Sequence, residues 1–255
     1  MLDLNYKSLG QGYPIIVLHG LFGTLDNWQT VARRLSENHT VYLVDLRNHG
    51  RSPHHSAMNY PIMAEDLRHF MESHGMYQAY LIGHSMGGKV AMEFALEHSD
   101  MVEKLMVVDI APKTYTGGHQ AIFEALFSLD LANLEDRQQA EAHLATRIAE
   151  PDVRQFLMKN LSRQKGGGFE WKMNLPVIFE NYSHILAAVD SSWAYDKPCS
   201  FVRGDRSDYI RDEDMDHIRT LFPKAQLHTV KGAGHWVHAE QPEALLQLIN
   251  TFFEA

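Results

Sequence analysis

Cysteine is nearly absent: Cys199 is the single thiol in 255 residues. One thiol cannot build a disulfide framework, so the core alone must hold the fold, and a cytoplasmic setting fits. No apolar run approaches the roughly 18 residues that a membrane-spanning helix needs, so no membrane span is expected. The opening Met1-Leu2-Asp3-Leu4-Asn5 has no basic stretch followed by an apolar block, and no secretory signal is visible. Positive charge is also short. Twenty-three Lys and Arg stand against 32 Asp and Glu, a net charge of −9, which argues against a nucleic-acid partner. Basic runs, internal repeats and low-complexity segments are lacking. What remains is 45% hydrophobic, enough for the core of one large domain or of a domain with a smaller companion. Sixteen histidines are unusual, but most stand singly and read as solvated surface residues.

The chain is organised around Gly83-His84-Ser85-Met86-Gly87. A short apolar run, Ala79-Tyr80-Leu81-Ile82, precedes it, and Val90, Ala91, Phe94 and Ala95 follow at helical spacing. Strand, sharp turn, helix is the setting in which Gly-x-Ser-x-Gly forms a nucleophile elbow. So tight a turn strains the serine backbone and leaves no room for side chains two positions to either side. Gly83 to Lys89 also spells the first seven positions of a phosphate-binding loop. The next residue should then offer magnesium a hydroxyl, and Val90 has none.

Along the rest of the chain, strand and helix alternate. Residues 2–9 read as an edge strand. Ile15-Ile16-Val17-Leu18, Val41-Tyr42-Leu43-Val44 and Leu105-Met106-Val107-Val108 read as strands covered on both faces. Helices are expected over 27–35, 60–74 and from Pro242 to the end. This order implies a mostly parallel central sheet flanked by helices. From 112 to 191 no strand signal appears, only helical patches at 119–129, 137–149, 152–161 and 177–189. That segment reads as an inserted helical cap, with residues 1–111 and 192–255 as the core. Strands at 198–204 and 226–230 then resume the alternation.

Three features converge: Ser85 at the elbow, His235 in the glycine-flanked loop Gly232-Ala233-Gly234-His235-Trp236, and His19-Gly20 after the first buried strand. Nucleophile early and histidine last is the chain order of the α/β-hydrolases. The segments His19-Gly20-Leu21-Phe22-Gly23, Asp45-Leu46-Arg47-Asn48-His49-Gly50-Arg51-Ser52, Gly83 to Lys89, Asp109-Ile110-Ala111-Pro112 and Gly232 to His238 resemble, in order, those of the YbfF-like bacterial esterases within that family. The resemblance covers nearly the whole chain and implies an α/β-hydrolase fold with a helical cap and no cofactor.

Acyl transfer needs a base to deprotonate Ser85, and His235 is the candidate. A carboxylate must orient the imidazole. The usual acid slot, three residues past Gly204, holds Ser207, flanked by Asp205 and Asp208. Asp109, at the strand end from which the YbfF-like enzymes carry their acid, is favoured over Asp208, with Asp205 behind. The oxyanion needs two N–H donors: Met86, and Leu21 in preference to Phe22. Phe22, Trp236 and Trp193 are candidates for an apolar acyl pocket. His235-x-x-His238 could be imagined as a metal pair, but no carboxylate stands at helical spacing, so no metal site is expected. Asp45, Arg47 and Arg51 are expected to brace their loop. The expected activity is hydrolysis of a small carboxylic ester, with acyl-thioester hydrolysis or ligand binding at slow turnover as alternatives.

Overall fold

Continuous runs of Ile, Val and Leu are satisfied where both faces of a strand are covered, and that condition sets the architecture. A computed structural model describes residues 1–254. The first half runs β1 (Tyr6–Leu9), β2 (Tyr13–Leu18), α1 (Gln29–Leu35), β3 (His39–Val44), α2 (Tyr60–Ser73), β4 (Ala79–His84), α3 (Met86–Glu97) and β5 (Val102–Val108). An inserted stretch follows, with α4 (Gln120–Phe127), α5 (Arg137–Ala145), α6 (Pro151–Met158), β6 (Leu161–Arg163), β7 (Phe169–Trp171), α7 (Leu175–Glu180) and α8 (Tyr182–Leu186). The chain ends with β8 (Cys199–Gly204), α9 (Asp214–Leu221), β9 (Ala225–Val230), α10 (Val237–Glu240) and α11 (Pro242–Glu254).

The main sheet is ordered β1-β3-β2-β4-β5-β8-β9, and every neighbouring pair is parallel except the edge strand β1 against β3. Alternate residues of each strand face opposite layers. Ile15, Val17, Val41 and Leu43 pack with α1 and α11, whereas Ile16, Leu18, Leu81 and Val107 pack with α2, α3 and α9. Helix α3 is buried nearly all round, as a helix with Val90, Ala91, Phe94 and Ala95 among its apolar residues must be. The order of strands reverses direction at β2: β3 lies on one side of it and β4 on the other. Clefts that bind ligands open beyond the carboxyl ends of strands at such a reversal.

Two expectations need correction. The edge strand begins at Tyr6, not at residue 2; the backbone N–H of Leu2 donates to the Asp66 carboxylate instead of entering the ladder. The 112–191 stretch is not strand-free, because β6 and β7 form an antiparallel hairpin. Strands of three residues are too short to show a period. Gly166-Gly167-Gly168 lies in the hairpin turn, with Gly167 and Gly168 at φ of 102° and 72°.

Lys89, in the first turn of α3, is 1% exposed. Its ammonium donates to the carbonyls of Lys113 at 2.8 Å, Leu186 at 3.4 Å and Ala187, and lies 4.8 Å from the centre of the Tyr115 ring. One buried cation thus ties both ends of the inserted stretch to the core. Burial draws its pKa down to about 7. Its ammonium is engaged by backbone carbonyls, an arrangement unlike that of a phosphate-binding loop lysine.

The elbow glycines give the sharpest test of this packing. A Cβ on Gly83 would lie 2.3 Å from the Gly87 carbonyl oxygen and 2.7 Å from Gly88 Cα. Backbone cannot yield as a flexible side chain can. Gly83→Ala is expected to lower stability by about 2–3 kcal/mol, read as a fall in the urea midpoint at unchanged slope.

Candidate active site

Ser85 is the single residue between β4 and α3, at φ 52° and ψ −121°. Such a conformation in a residue with a side chain survives only where its surroundings over-determine it. The Ser85 N–H donates to the Val108 carbonyl at 3.0 Å, and the Ser85 carbonyl accepts from the N–H groups of Gly88 and Lys89 at 2.8 and 3.1 Å. A Cβ on Gly87 would lie 2.4 Å from the His19 carbonyl oxygen. The helix can therefore approach the end of β2 only without a side chain there.

Sheet register aligns the other groups. Leu18 pairs with Gly83, His84 with Val108, and Val108 with Val202, so the loops after β2, β4, β5 and β8 emerge side by side. His235, in the loop after β9, has Nε2 3.0 Å from Ser85 Oγ and Nδ1 2.8 Å from Asp109 Oδ2. Asp109 is fully buried and sits at φ 54°. Its Oδ1 accepts the Gly204 N–H at 3.2 Å, and its Oδ2 also accepts the Ser207 hydroxyl. With Nδ1–H directed at the carboxylate, Nε2 keeps the lone pair that faces the serine.

Neither rival carboxylate bonds the His235 ring. Asp205 accepts the Gly232 N–H at 2.8 Å, and Asp208 is exposed and makes no hydrogen bond to His235. Ser207 does stand in the slot where an acid was sought, and it reaches Asp109 instead of the imidazole.

On the opposite side of Ser85 are the two candidate N–H donors. Met86 is the first residue of α3, where an N–H has no intrahelical acceptor. The Phe22 N–H is already given to His49 Nε2 at 3.2 Å, whereas Leu21 N–H has no acceptor among the described residues. Of these two, Leu21 is therefore the residue whose N–H is free among the described residues.

Several histidines are interior: His19, His49 and His238, which by default read as surface residues, and His84, whose place beside Ser85 puts it behind the elbow. His19, His49, His84 and His238 are each 5% exposed or less. Burial holds His19 at about 4 and His49 and His238 at about 3, and holds His84 well below the ordinary range. His84 Nε2 lies 2.9 Å from the His235 carbonyl oxygen and packs behind the elbow. His238 stacks on Trp28 at 4.5 Å. Sequence reasoning also missed Tyr209, whose ring stacks on His235 at 3.9 Å. Trp193 is 71% exposed and lines no cavity at the site, contrary to expectation.

Two cavities meet at Ser85, of about 230 and 220 Å³. Tyr60, Ile110, Tyr115 and Tyr182 line the first; Phe22, Ile122, Phe156 and Trp236 line the second. Leu21, His119 and Tyr209 border both. The arrangement can deprotonate a hydroxyl, hold an oxyanion and enclose apolar groups on two sides of the reacting atom.

Residues 13–242 match the family model described as alpha/beta hydrolase fold. The chain is 40% identical over 240 residues to Esterase YbfF of Escherichia coli, covering 94% of this chain and 92% of that protein. It is 38% identical to the sn-1-specific diacylglycerol lipase ABHD11 of Danio rerio, covering 98% of this chain and 81% of the other. Among solved structures, one described as a marine microorganism esterase superimposes with a TM-score of 0.97 at 42% identity, covering 99% of this chain and all of that one.

Asp109→Asn should lower kcat about 10³- to 10⁴-fold by removing the carboxylate that fixes the His235 tautomer, and Asp208→Asn should leave it within a few-fold. Steady-state kinetics on a p-nitrophenyl ester compare the two, and the reverse ranking would move the acid to the later loop. The buried histidines predict a second effect. Their pKa values lie below the ordinary 6.5, so between pH 6.5 and about 4 the unfolded chain binds protons that the folded chain does not. Stability should therefore fall as pH drops through that window, by up to about 1.4 kcal/mol per pH unit for each histidine. Urea melts from pH 7 to 4.5 measure the slope, and replacing His238 with Gln should make it shallower.

Proposed function

The chain belongs to the alpha/beta hydrolase fold family and is an enzyme of esterase type, and from that premise we propose that it hydrolyses carboxylic esters through a serine acyl-enzyme. The observation that carries this reading is the unbroken hydrogen-bonded line from Ser85 through His235 to buried Asp109, at the junction of two apolar-walled cavities.

In the first step His235 Nε2 takes the Ser85 proton as Oγ attacks the ester carbonyl. The carbonyl oxygen becomes an oxyanion, held by the backbone N–H groups of Leu21 and Met86, each contributing about 3 kcal/mol of transition-state stabilisation. Asp109 offsets the imidazolium charge. His235 then returns the proton to the departing alcohol, leaving the acyl group on Ser85. Water, deprotonated by His235, attacks the acyl-enzyme through a second oxyanion and frees the acid.

Residues 112–191 act in this reading as a cap over the core formed by 1–111 and 192–255. Both cavities have one wall from each, with Tyr182 and Ile122 supplied by the inserted stretch. Phe22 and Trp236 contact the substrate on the side of His235, from which the leaving group receives its proton. A cavity of about 150 Å³ holds benzene, so spaces of 230 and 220 Å³ suit short to medium apolar groups. The substrate is a small-molecule ester, and no cofactor enters the mechanism. Among the described residues, no helix is long and apolar enough to cross a membrane.

Ser85→Ala should abolish hydrolysis of p-nitrophenyl butyrate while leaving the circular dichroism spectrum and melting temperature close to those of the parent. Residual turnover above a few per cent would remove Ser85 as nucleophile. A matched series of oxygen and thiol esters on the parent enzyme separates ester from thioester preference.

A further inference from the structure

The oxyanion loop His19-Gly20-Leu21-Phe22-Gly23 is gripped one peptide at a time. The Gly20 carbonyl, on the peptide that carries the Leu21 N–H, accepts from the Gly23 N–H at 2.9 Å and lies 2.8 Å from His19 Nδ1. The next peptide gives its Phe22 N–H to His49 Nε2 at 3.2 Å. The Phe22 carbonyl accepts from Asn160 Nδ2 at 2.6 Å. Three of these four contacts come from the core, and the fourth comes from the inserted stretch, 138 residues away in sequence.

Asn160 is fully buried, in the turn between α6 and β6, and its Oδ1 has no partner among the described residues. The one hydrogen bond that this buried amide side chain makes among the described residues is the bond to Phe22, and its unpaired oxygen is costly to bury. That bond falls on Phe22, whose φ of 58° is unfavourable for a residue with a side chain. Released from its restraints, Phe22 would relax toward negative φ, and the peptide plane before it would turn. The Phe22 ring is also fixed by the cap, edge-on to Phe123 at 5.2 Å and near His119 at 5.9 Å.

We propose that Asn160 is a positioning residue of the oxyanion hole: the cap, through Asn160, holds Phe22 in its strained conformation and so aims the Leu21 N–H at the reacting carbonyl. The hole is complete only with the cap seated. This inference rests on the serine-hydrolase reading above. A donor that serves the transition state more than the ground state changes kcat and leaves KM alone. Loss of purely structural packing would lower stability without that pattern.

The test uses the full chain with Asn160→Leu, which removes the donor and the unpaired oxygen together, and Asn160→Asp, which keeps the shape and cannot donate once ionised, assayed from about pH 7 to 9.5 because burial raises a carboxyl pKa. Kinetics on p-nitrophenyl butyrate are read beside inhibition by a trifluoromethyl ketone, whose tetrahedral adduct needs the same hole. In both variants kcat should fall about 10- to 100-fold with KM within twofold, and inhibitor affinity should fall in parallel with kcat/KM. The inference is overturned if kcat is retained in either folded variant, if KM alone rises, or if inhibitor affinity is unchanged. Should Asn160→Leu fail to fold, Asn160→Asp decides. Ser85→Ala separates the two readings: an active Ser85→Ala removes the parent proposal, whereas an inactive Ser85→Ala beside a fully active Asn160→Asp removes only this one.

Discussion

The constraint on which the site depends is steric. Ser85 can occupy φ 52° only because the strand before it and the helix after it come closer than any Cβ would allow. Gly83 lets α3 pack onto β4, and Gly87 lets α3 pack onto the end of β2. The same close approach sets the Met86 N–H at a helix start and brings His19-Gly20 beside the serine. A looser turn would move Ser85 and both candidate oxyanion donors together. The strain at Ser85 and the sheet-helix packing are thus one feature, stabilised by the burial of Val90, Ala91 and Phe94 behind it.

The carboxylate reaches the site from β5, the strand beside the elbow strand. In that position Asp109 is fully buried, and its two oxygens accept from the Gly204 N–H, the Ser207 hydroxyl and His235. A buried carboxylate is tolerable only when its lone pairs are so occupied. Ser207 acquires its sense here. A serine in the loop after β8 cannot balance an imidazolium, but it can solvate the aspartate that faces the His235 ring.

The sheet, its direction and the loops that converge on Ser85 were legible because long apolar runs and glycine-flanked turns carry strong local signals. The pairing of His235 with Ser85 and Asp109 could be read from the loops in which they sit, since parallel order brings those loops to one edge. What could not be read depended on contacts across the insertion. The β6–β7 hairpin has too few residues to declare a period. The stacking of Tyr209 on His235, and the bond from Asn160 to Phe22, join segments whose sequences carry no mark of each other. The buried histidines escaped for a related reason. A lone histidine has no periodicity, and only the packed layers around His19, His49 and His238 decide that they are interior.

Those histidines also bear on how His235 can take up a proton. His84 and His235 have ring centres 4.8 Å apart, and His84 and His238 are 4.7 Å apart. At an effective dielectric of about 20, a unit positive charge on His84 would oppose an imidazolium at His235 by about 3–4 kcal/mol. That is enough to cancel one oxyanion donor. Burial prevents it by holding His84 and His238 neutral far below the pH at which an ordinary imidazole titrates. Neutral rings still work as hydrogen-bonding scaffold: His49 takes the Phe22 N–H, and His84 holds the His235 carbonyl. The interior can therefore be crowded with imidazoles and yet set no positive charge against His235 from His84 or His238. A cluster that looks like a proton relay is better understood as an uncharged frame around the ring that faces Ser85.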